Sequence, residues 1–201
     1  MFSFKKSRNY WLRSNLVLLF LATLLLINKP YFSEKYGNPL FFLFVVTTEL
    51  FLILLSFVYG FQTKKVRYSP RKRVFNKSNY TKGVAVFLCL SIFFGLALGR
   101  DIPYPSSLIT ISLAINTLAA IISLIAPSAV INHYESSIYE EPKGLINDLM
   151  RYFLVFTWGI NYEVQIVLAR LPFIFQRLIG VILAVLLFFG TFAVGVIFEN
   201  S

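Results

Sequence analysis

Long apolar stretches separated by short polar segments make up most of this 201-residue sequence. About 20 consecutive apolar residues are enough to cross the hydrocarbon core of a bilayer as an α-helix. On this pattern we predict an all-α, polytopic integral membrane protein with a single transmembrane domain covering residues 1–201. The predicted spans are 10–28, 39–61, 83–99, 107–131 and 178–198, with a sixth candidate at 149–169.

The first four spans are predicted to form two transmembrane helical hairpins. Residues 28–38 and 100–106 are short and contain proline and polar side chains, as expected for tight turns between antiparallel helices. Pro127 lies in the last turn of the fourth span, where we expect a tolerated kink. Residues 62–82 connect the two hairpins through a longer polar segment.

The segment between the fourth and the last span has a mixed character. Residues 149–170 combine many apolar side chains with Asn161, Glu163 and Gln165, which are unfavourable in lipid. Gly159 and Asn161 predict a break into two half-helices. The segment either spans the membrane, lies along the interface as a helix, or forms a re-entrant element whose polar groups approach Glu49. The total is therefore five or six spans.

Composition supports a membrane protein. Hydrophobic residues make up 57% of the chain and charged residues only 14%, with a mean hydropathy of +0.71, whereas soluble domains are about 25% charged. The net charge is +10, and the basic residues cluster at the ends of apolar runs. We therefore expect anionic lipid headgroups, and not nucleic acid, to be the counter-charge.

The distribution of basic residues predicts the orientation. Residues 62–82 contain eight lysines and arginines and no acid, and such segments stay on the cytoplasmic side. The N-terminus and this basic loop are thus predicted to be cytoplasmic. Two N-glycosylation sequons, at Asn76 and Asn79, lie in the loop and are expected to be unmodified. A six-span arrangement would place Arg170 and Arg177 on the outer side, against the same rule.

Glu49 is the most distinctive single residue, because it lies at the middle of the second span. A carboxyl group there is energetically costly and marks a functional site by default. It is a candidate ion or proton site, or a docking group for a partner subunit. The structural alternative is a hydrogen bond to a neighbouring helix, for which Asn116 in the fourth span is a candidate.

Two stripes of small or polar residues are predicted to mediate helix packing. Ser91, Gly95 and Gly99 recur at every fourth position of the third span, and Ser112, Asn116 and Ala120 do so in the fourth. Small faces allow membrane helices to approach closely. We expect packing within the chain more than oligomerisation.

The basic loop is a candidate lipid-headgroup contact, although it can also serve only as a topological anchor. The residues in question are Lys64, Lys65, Arg67, Arg71, Lys72 and Arg73. One histidine beside scattered acids is a poor metal site, so a solvated acidic loop is expected for the residues His133, Glu135, Glu140 and Glu141. We predict no metal and no cofactor.

The sequence contains none of the catalytic clusters that membrane enzymes use, so no catalytic residue and no enzymatic activity are predicted. The expected function is that of a non-catalytic membrane subunit, an assembly or trafficking factor, or a membrane-shaping protein. Its partners would be the bilayer and another membrane protein or itself. Short spans favour a thin endomembrane such as that of the endoplasmic reticulum. The alternative is a small oligomeric transporter or channel that uses Glu49.

Overall fold

A computed structural model of the chain describes residues 2–61, 77–97, 101–139 and 145–199. Regular structure in these residues is helical, apart from an isolated antiparallel bridge between Phe2 and Phe61. A short 3₁₀ turn, Lys29–Tyr31, follows the first helix. The α-helices are α1 Phe4–Ile27, α2 Gly37–Gly60, α3 Lys77–Ala97, α4 Ser106–Ile125, α5 Pro127–Tyr139, α6 Leu145–Leu168 and α7 Phe173–Ile197.

Prolines set several of the helix ends. Pro39 lies in the first turn of α2, where its missing N–H leaves no hydrogen bond unmade. Pro127 separates α4 from α5, because its ring excludes the carbonyl four residues earlier and it has no N–H to donate. The predicted span 107–131 is therefore two helices, and the expected tolerated kink at Pro127 is a complete break.

Four helices, α1, α2, α4 and α7, form an apolar bundle. Its core includes Leu25, Leu55, Ile109, Leu183 and Val194. The same four helices are long and apolar enough, by length and composition, to cross a membrane. The prediction of an all-helical fold is confirmed for the described residues, with four helices that are candidates to span a membrane. Helix α3 covers most of the predicted span 83–99, whose last two residues lie outside the described part of the chain.

Helix α6 lies beside α4, and α3 and α5 flank it. It runs without interruption from Leu145 to Leu168, so the expected break at Gly159 and Asn161 is wrong. Both residues are compatible with a helix here because α4 provides hydrogen-bond partners along this stretch, as described below. A polar helix is stable among apolar neighbours when its polar groups are bonded.

Several helix ends meet at one end of the bundle, which we call the basic end. The Ser3 N–H donates to the Gly60 carbonyl at 2.9 Å, which joins the start of α1 to the end of α2. Arg170, two residues after the end of α6, lies over the ring of Tyr59 near the end of α2. The described charged residues at this end include the basic residues Lys5, Lys6, Arg8, Arg13, Arg170 and Arg177 and the acid Glu163.

At the opposite end of the bundle, hydrogen bonds connect the other termini of these helices. The Ser33 N–H donates to the Ile197 carbonyl at 2.7 Å, and the Asn28 side chain donates to Pro103 O and Ser106 Oγ, both at 2.9 Å. The described charged residues here include two basic residues, Lys29 and Lys35, and three acidic residues, Glu34, Asp101 and Glu199.

Helices α5 and α6 run antiparallel to each other. His133 packs against Trp158 near the middle of the pair, and Ile138 accepts a hydrogen bond from Arg151 further along. Helices α4 and α6 both end at the basic end. The chain therefore runs away from that end along α5 and comes back to it along α6. Arg170 therefore lies at the same end of the bundle as the start of α1.

Candidate functional site: polar groups inside the bundle

A group of buried polar side chains, linked by hydrogen bonds to one another and to the main chain, joins α4 to α6. Asn116 and Asn161 are fully buried, and Gln165 is almost so. The Asn161 side-chain amide donates to Ser123 Oγ at 2.9 Å and accepts from Gln165 Nε2 at 3.3 Å, while Asn116 Nδ2 donates to the Ser112 carbonyl at 2.9 Å. We call these five residues the α4–α6 seam.

Two side chains of the seam also bond to the main chain of α6. Asn116 Oδ1 accepts from the backbone N–H of Asn161 at 2.9 Å, and Ser112 Oγ donates to the Phe156 carbonyl at 2.8 Å. Gly159 lies between Phe156 and Asn161 in the sequence. A Cβ placed at Gly159 would lie 3.7 Å from its nearest neighbour, Tyr134 Oη, which is an ordinary van der Waals contact. The seam thus combines neutral amides and hydroxyls that fix the register of two helices.

The seam accounts for part of the predicted packing stripe. Ser112 and Asn116 were expected to face another helix, and they face α6. Asn161 and Gln165 were expected to be awkward in lipid, and their four-residue spacing places both on the buried face of α6. Sequence reasoning missed Ser123 because serine is common in membrane helices and no pattern separates it from its neighbours.

Glu49 is bonded to α1. Its Oε1 accepts a hydrogen bond from Trp11 Nε1 at 2.7 Å. The suggested contact with Asn116 is wrong, because the antiparallel α1–α2 pair brings Glu49 against the first half of α1 while Asn116 faces α6. In the described part of the chain, Glu49 Oε2 and Thr48 Oγ1 are buried and have no hydrogen-bond partner.

A second polar cluster lies between α5 and α6. Glu135 is buried and accepts from Tyr162 Oη at 3.1 Å, and the rings of Tyr134 and Tyr162 stack with centroids 4.0 Å apart. Arg151 is also buried and donates to the Ile138 carbonyl. The expectation of a solvated acidic loop is therefore wrong for Glu135, because residues 127–139 are helical and pack on α6.

No metal site is found among the residues that the structure describes, where no three histidine, cysteine or acidic side chains come together. Two of the four residues considered for a metal, Glu140 and Glu141, lie outside them. The six basic residues proposed for lipid contact, which lie between 64 and 73, are also outside the described ranges.

The small face of α3 meets the turn before α4. Ser91 is buried and donates to its own helix at Leu88 O. A side chain at Gly95 would overlap the ring of Tyr104, so the absence of a Cβ allows this close approach. Gly99 lies outside the described residues. The two described members of the stripe thus lie at contacts within the chain.

At the basic end, Arg177 closes the broken end of α4. Its guanidinium donates to the carbonyls of Ser123 and Ile125, both at 3.3 Å, and lies 4.9 Å from the ring centroid of Phe173. Pro127 cannot donate to Ser123 O as a helical residue would. The cation therefore satisfies a carbonyl that the proline leaves unbonded, at the negative end of the helix dipole.

Comparison with known proteins found no relative: no protein-family model, no curated protein and no solved structure matches this chain.

Proposed function

We propose that this chain is a non-catalytic, multi-pass membrane protein that acts as a subunit, assembly factor or organiser through contacts between its helices and other membrane components. The α4–α6 seam is the observation that carries this proposal. A catalytic site or a permeation path needs polar groups directed at a substrate, whereas the seam's amides and hydroxyls are bonded to one another. The outward faces of the spans are apolar and available for partners.

We further propose that the basic end and the N-terminus are cytoplasmic, with five crossings and the α5–α6 pair as a re-entrant unit. The excess of lysine and arginine at one end of the bundle supports this orientation. An endoplasmic-reticulum-like membrane suits helix α4, whose 20 residues extend about 30 Å.

Cysteine labelling tests the orientation. Cys89 is the single cysteine, so Cys89→Ser gives a background in which Lys5→Cys and Lys35→Cys probe the two ends. In sealed membrane vesicles with their cytoplasmic face outward, an impermeant maleimide should label position 5 and reach position 35 only after detergent is added. The reverse pattern would invert the topology.

Photocrosslinking tests the partner role. A photoreactive residue at Leu50 or Phe188, both exposed on the bundle surface, should give a discrete adduct with one membrane protein or a second copy of the chain. The same residue at the buried Leu55 is the matched control and should give none. Adducts with lipid alone at both exposed positions would count against the proposal.

The second candidate is a small oligomeric transporter that uses Glu49. The observation in its favour is the buried Oε2 atom without a partner on a helix able to span the membrane. Purified protein in liposomes should then support ion flux that Glu49→Gln abolishes. Glu49→Gln retains an oxygen for Trp11, so it separates loss of the carboxyl charge from loss of the hydrogen bond. Absence of flux in the unmodified protein would remove this candidate.

A further inference from the structure

The outward face of α5 is polar, whereas the outward faces of the apolar spans are not. The exposed residues of α7, for example, are mainly large and apolar, such as Val185 and Phe188. The exposed or partly exposed residues of α5 are instead small or polar, namely Ser128, Ala129, Asn132, His133, Ser136 and Ser137. We call these six residues the α5 polar face. Its composition is not that of a surface in contact with lipid.

Contacts between α5 and α6 place the α5 polar face inside the bundle's length. The rings of His133 and Trp158 have centroids 5.4 Å apart. Trp158 precedes the end of α6 at Leu168 by ten residues, or about 15 Å. With a hydrocarbon core about 30 Å thick, His133 and its neighbour Asn132 lie at the depth of the acyl chains in the proposed embedding.

Two groups on this face need hydrogen-bond partners. In the described part of the chain, no hydrogen bond joins the Asn132 amide or the His133 imidazole to another residue. The nearby hydroxyls of Ser136 and Ser137 donate to the His133 carbonyl and retain their capacity to accept. Polar groups at this depth are costly unless they are bonded, so another molecule must supply the partners.

The absence of charge on the α5 polar face identifies a suitable molecule. The chain has a net charge of +10, so most of its polar surfaces would repel a second copy. Helix α5 contains one charged residue, Glu135, which is buried and bonded to Tyr162. Asparagine and serine side chains and a neutral imidazole both donate and accept, so an identical face provides a partner for each group.

The spacing of the residues fits a symmetric pair. Two copies with the same orientation in a membrane are related by a two-fold axis along the membrane normal, so each residue of α5 faces its own counterpart at the same depth. Ala129, Asn132 and Ser136 follow one another at intervals of three and four and therefore lie on one side of the helix. The small side chains at 129 and 136 allow close approach.

We propose that the α5 polar face binds the same face of a second copy of this chain, with Asn132 and His133 bonded across the two-fold axis. This inference rests on the proposed membrane embedding, and it assigns a surface and a partner to the proposed role in helix contacts. The dimer interface is separate from the α4–α6 seam, which lies inside each copy.

Disulfide crosslinking of the full-length protein tests this contact. In the Cys89→Ser background, Ser136→Cys protein is reconstituted in liposomes at a low protein-to-lipid ratio and oxidised. We expect a disulfide-linked dimer, because the two copies of residue 136 lie close to the axis and a disulfide needs Cα atoms within about 7 Å. The matched control is Leu19→Cys, on an outward position of α1 that is 64% exposed, and it should give little dimer.

Energy transfer between labelled copies measures the strength of association. The labels are attached at Lys35→Cys in the same background, and the protein-to-lipid ratio is varied. Asn132→Leu should weaken the dimer about tenfold, because a bond lost at the axis is lost from both copies. Ala129→Phe should also weaken it through its bulk. The control Asn15→Leu should leave association unchanged, since Asn15 bonds to Trp11 of its own helix.

Several results would overturn the proposal. Absence of energy transfer at every ratio would do so, as would equal crosslinking from positions 136 and 19 or unchanged association in Asn132→Leu. Circular dichroism shows whether each variant keeps its helices. A monomer in which an impermeant maleimide labels Ser136→Cys would show that the face meets water instead. Photocrosslinking at Leu50 and Phe188 probes other helices, so the proposed partner role and the α5 dimer can fail separately.

Discussion

The α4–α6 seam allows a quantitative prediction for Asn161→Ala. This substitution removes two hydrogen bonds, one donated to Ser123 Oγ and one accepted from Gln165 Nε2. It leaves the backbone bond to Asn116 in place, because that bond involves the main-chain N–H of residue 161. The perturbation is therefore confined to the side-chain half of the seam.

The expected cost follows from these two bonds. The bond to Ser123 joins two helices, and such bonds contribute about 0.6 kcal/mol on average, with a maximum of about 1.7 kcal/mol, whereas the bond from Gln165 lies within α6. The Gln165 amide is 2% exposed and would lose its partner, which adds a desolvation cost of about 1–3 kcal/mol. We expect Asn161→Ala to lower the free energy of unfolding by about 2–4 kcal/mol in total.

The assay is reversible unfolding in mixed micelles, followed by circular dichroism. The control is Thr23→Ala, because Thr23 is exposed and its Oγ1 donates to the Leu19 carbonyl of its own helix. Its cost should stay within about 0.5 kcal/mol. A double-mutant cycle of Asn161→Ala with Ser123→Ala should show a coupling of about 0.6 kcal/mol.

Equal costs for Asn161→Ala and Thr23→Ala would refute the reasoning, since the seam would then contribute nothing beyond an exposed hydroxyl. A coupling indistinguishable from zero would refute the specific bond between Asn161 and Ser123, even if the single substitution were destabilising.

Three further substitutions test other contacts. Gly190→Val should lower the melting temperature, because even a Cβ at Gly190 would lie 3.2 Å from a phenylalanine ring of α2. The control Gly195→Val should be close to neutral, because a Cβ at Gly195 has nothing within 4 Å. Equal effects of the two substitutions would contradict this packing. Trp11→Phe should destabilise the α1–α2 hairpin by about 1.5–3 kcal/mol in the same unfolding assay, because the hydrogen bond to Glu49 is lost. An unchanged free energy of unfolding would show that this bond is not maintained. Arg177→Gln should cost about 1 kcal/mol by thermal unfolding, because the last carbonyls of α4 lose a cation; a neutral effect would argue against this cap.

The apolar helices could be predicted from sequence because hydrophobic run length is a local property. The predicted spans 10–28, 39–61 and 178–198 correspond to helices α1, α2 and α7. The ends of each helix differ from the ends of the predicted span by between a few residues and slightly more than one helical turn. The terminal differences arise because helices continue beyond the apolar run, as α1 does back to Phe4 through several basic residues.

The α5–α6 region could not be predicted in the same way. Its stability depends on which helix receives the polar side chains, and this is a long-range property. Glu135 is buried because Tyr162, 27 residues later, donates to it, and Asn161 is compatible with a helix because Asn116 is opposite. Similarly, nothing in the apolar pattern near Glu49 identifies Trp11 as its partner.

The dependence of α6 on α4 has a consequence for biogenesis. A helix carrying Arg151, Asn161 and Glu163 partitions poorly into lipid by itself. Helix α4 precedes it in the chain, so its complementary polar face is already synthesised when α6 leaves the ribosome. In the proposed re-entrant arrangement, insertion of α6 is then an assembly step, in which the nascent helix enters the membrane against a partner from its own chain.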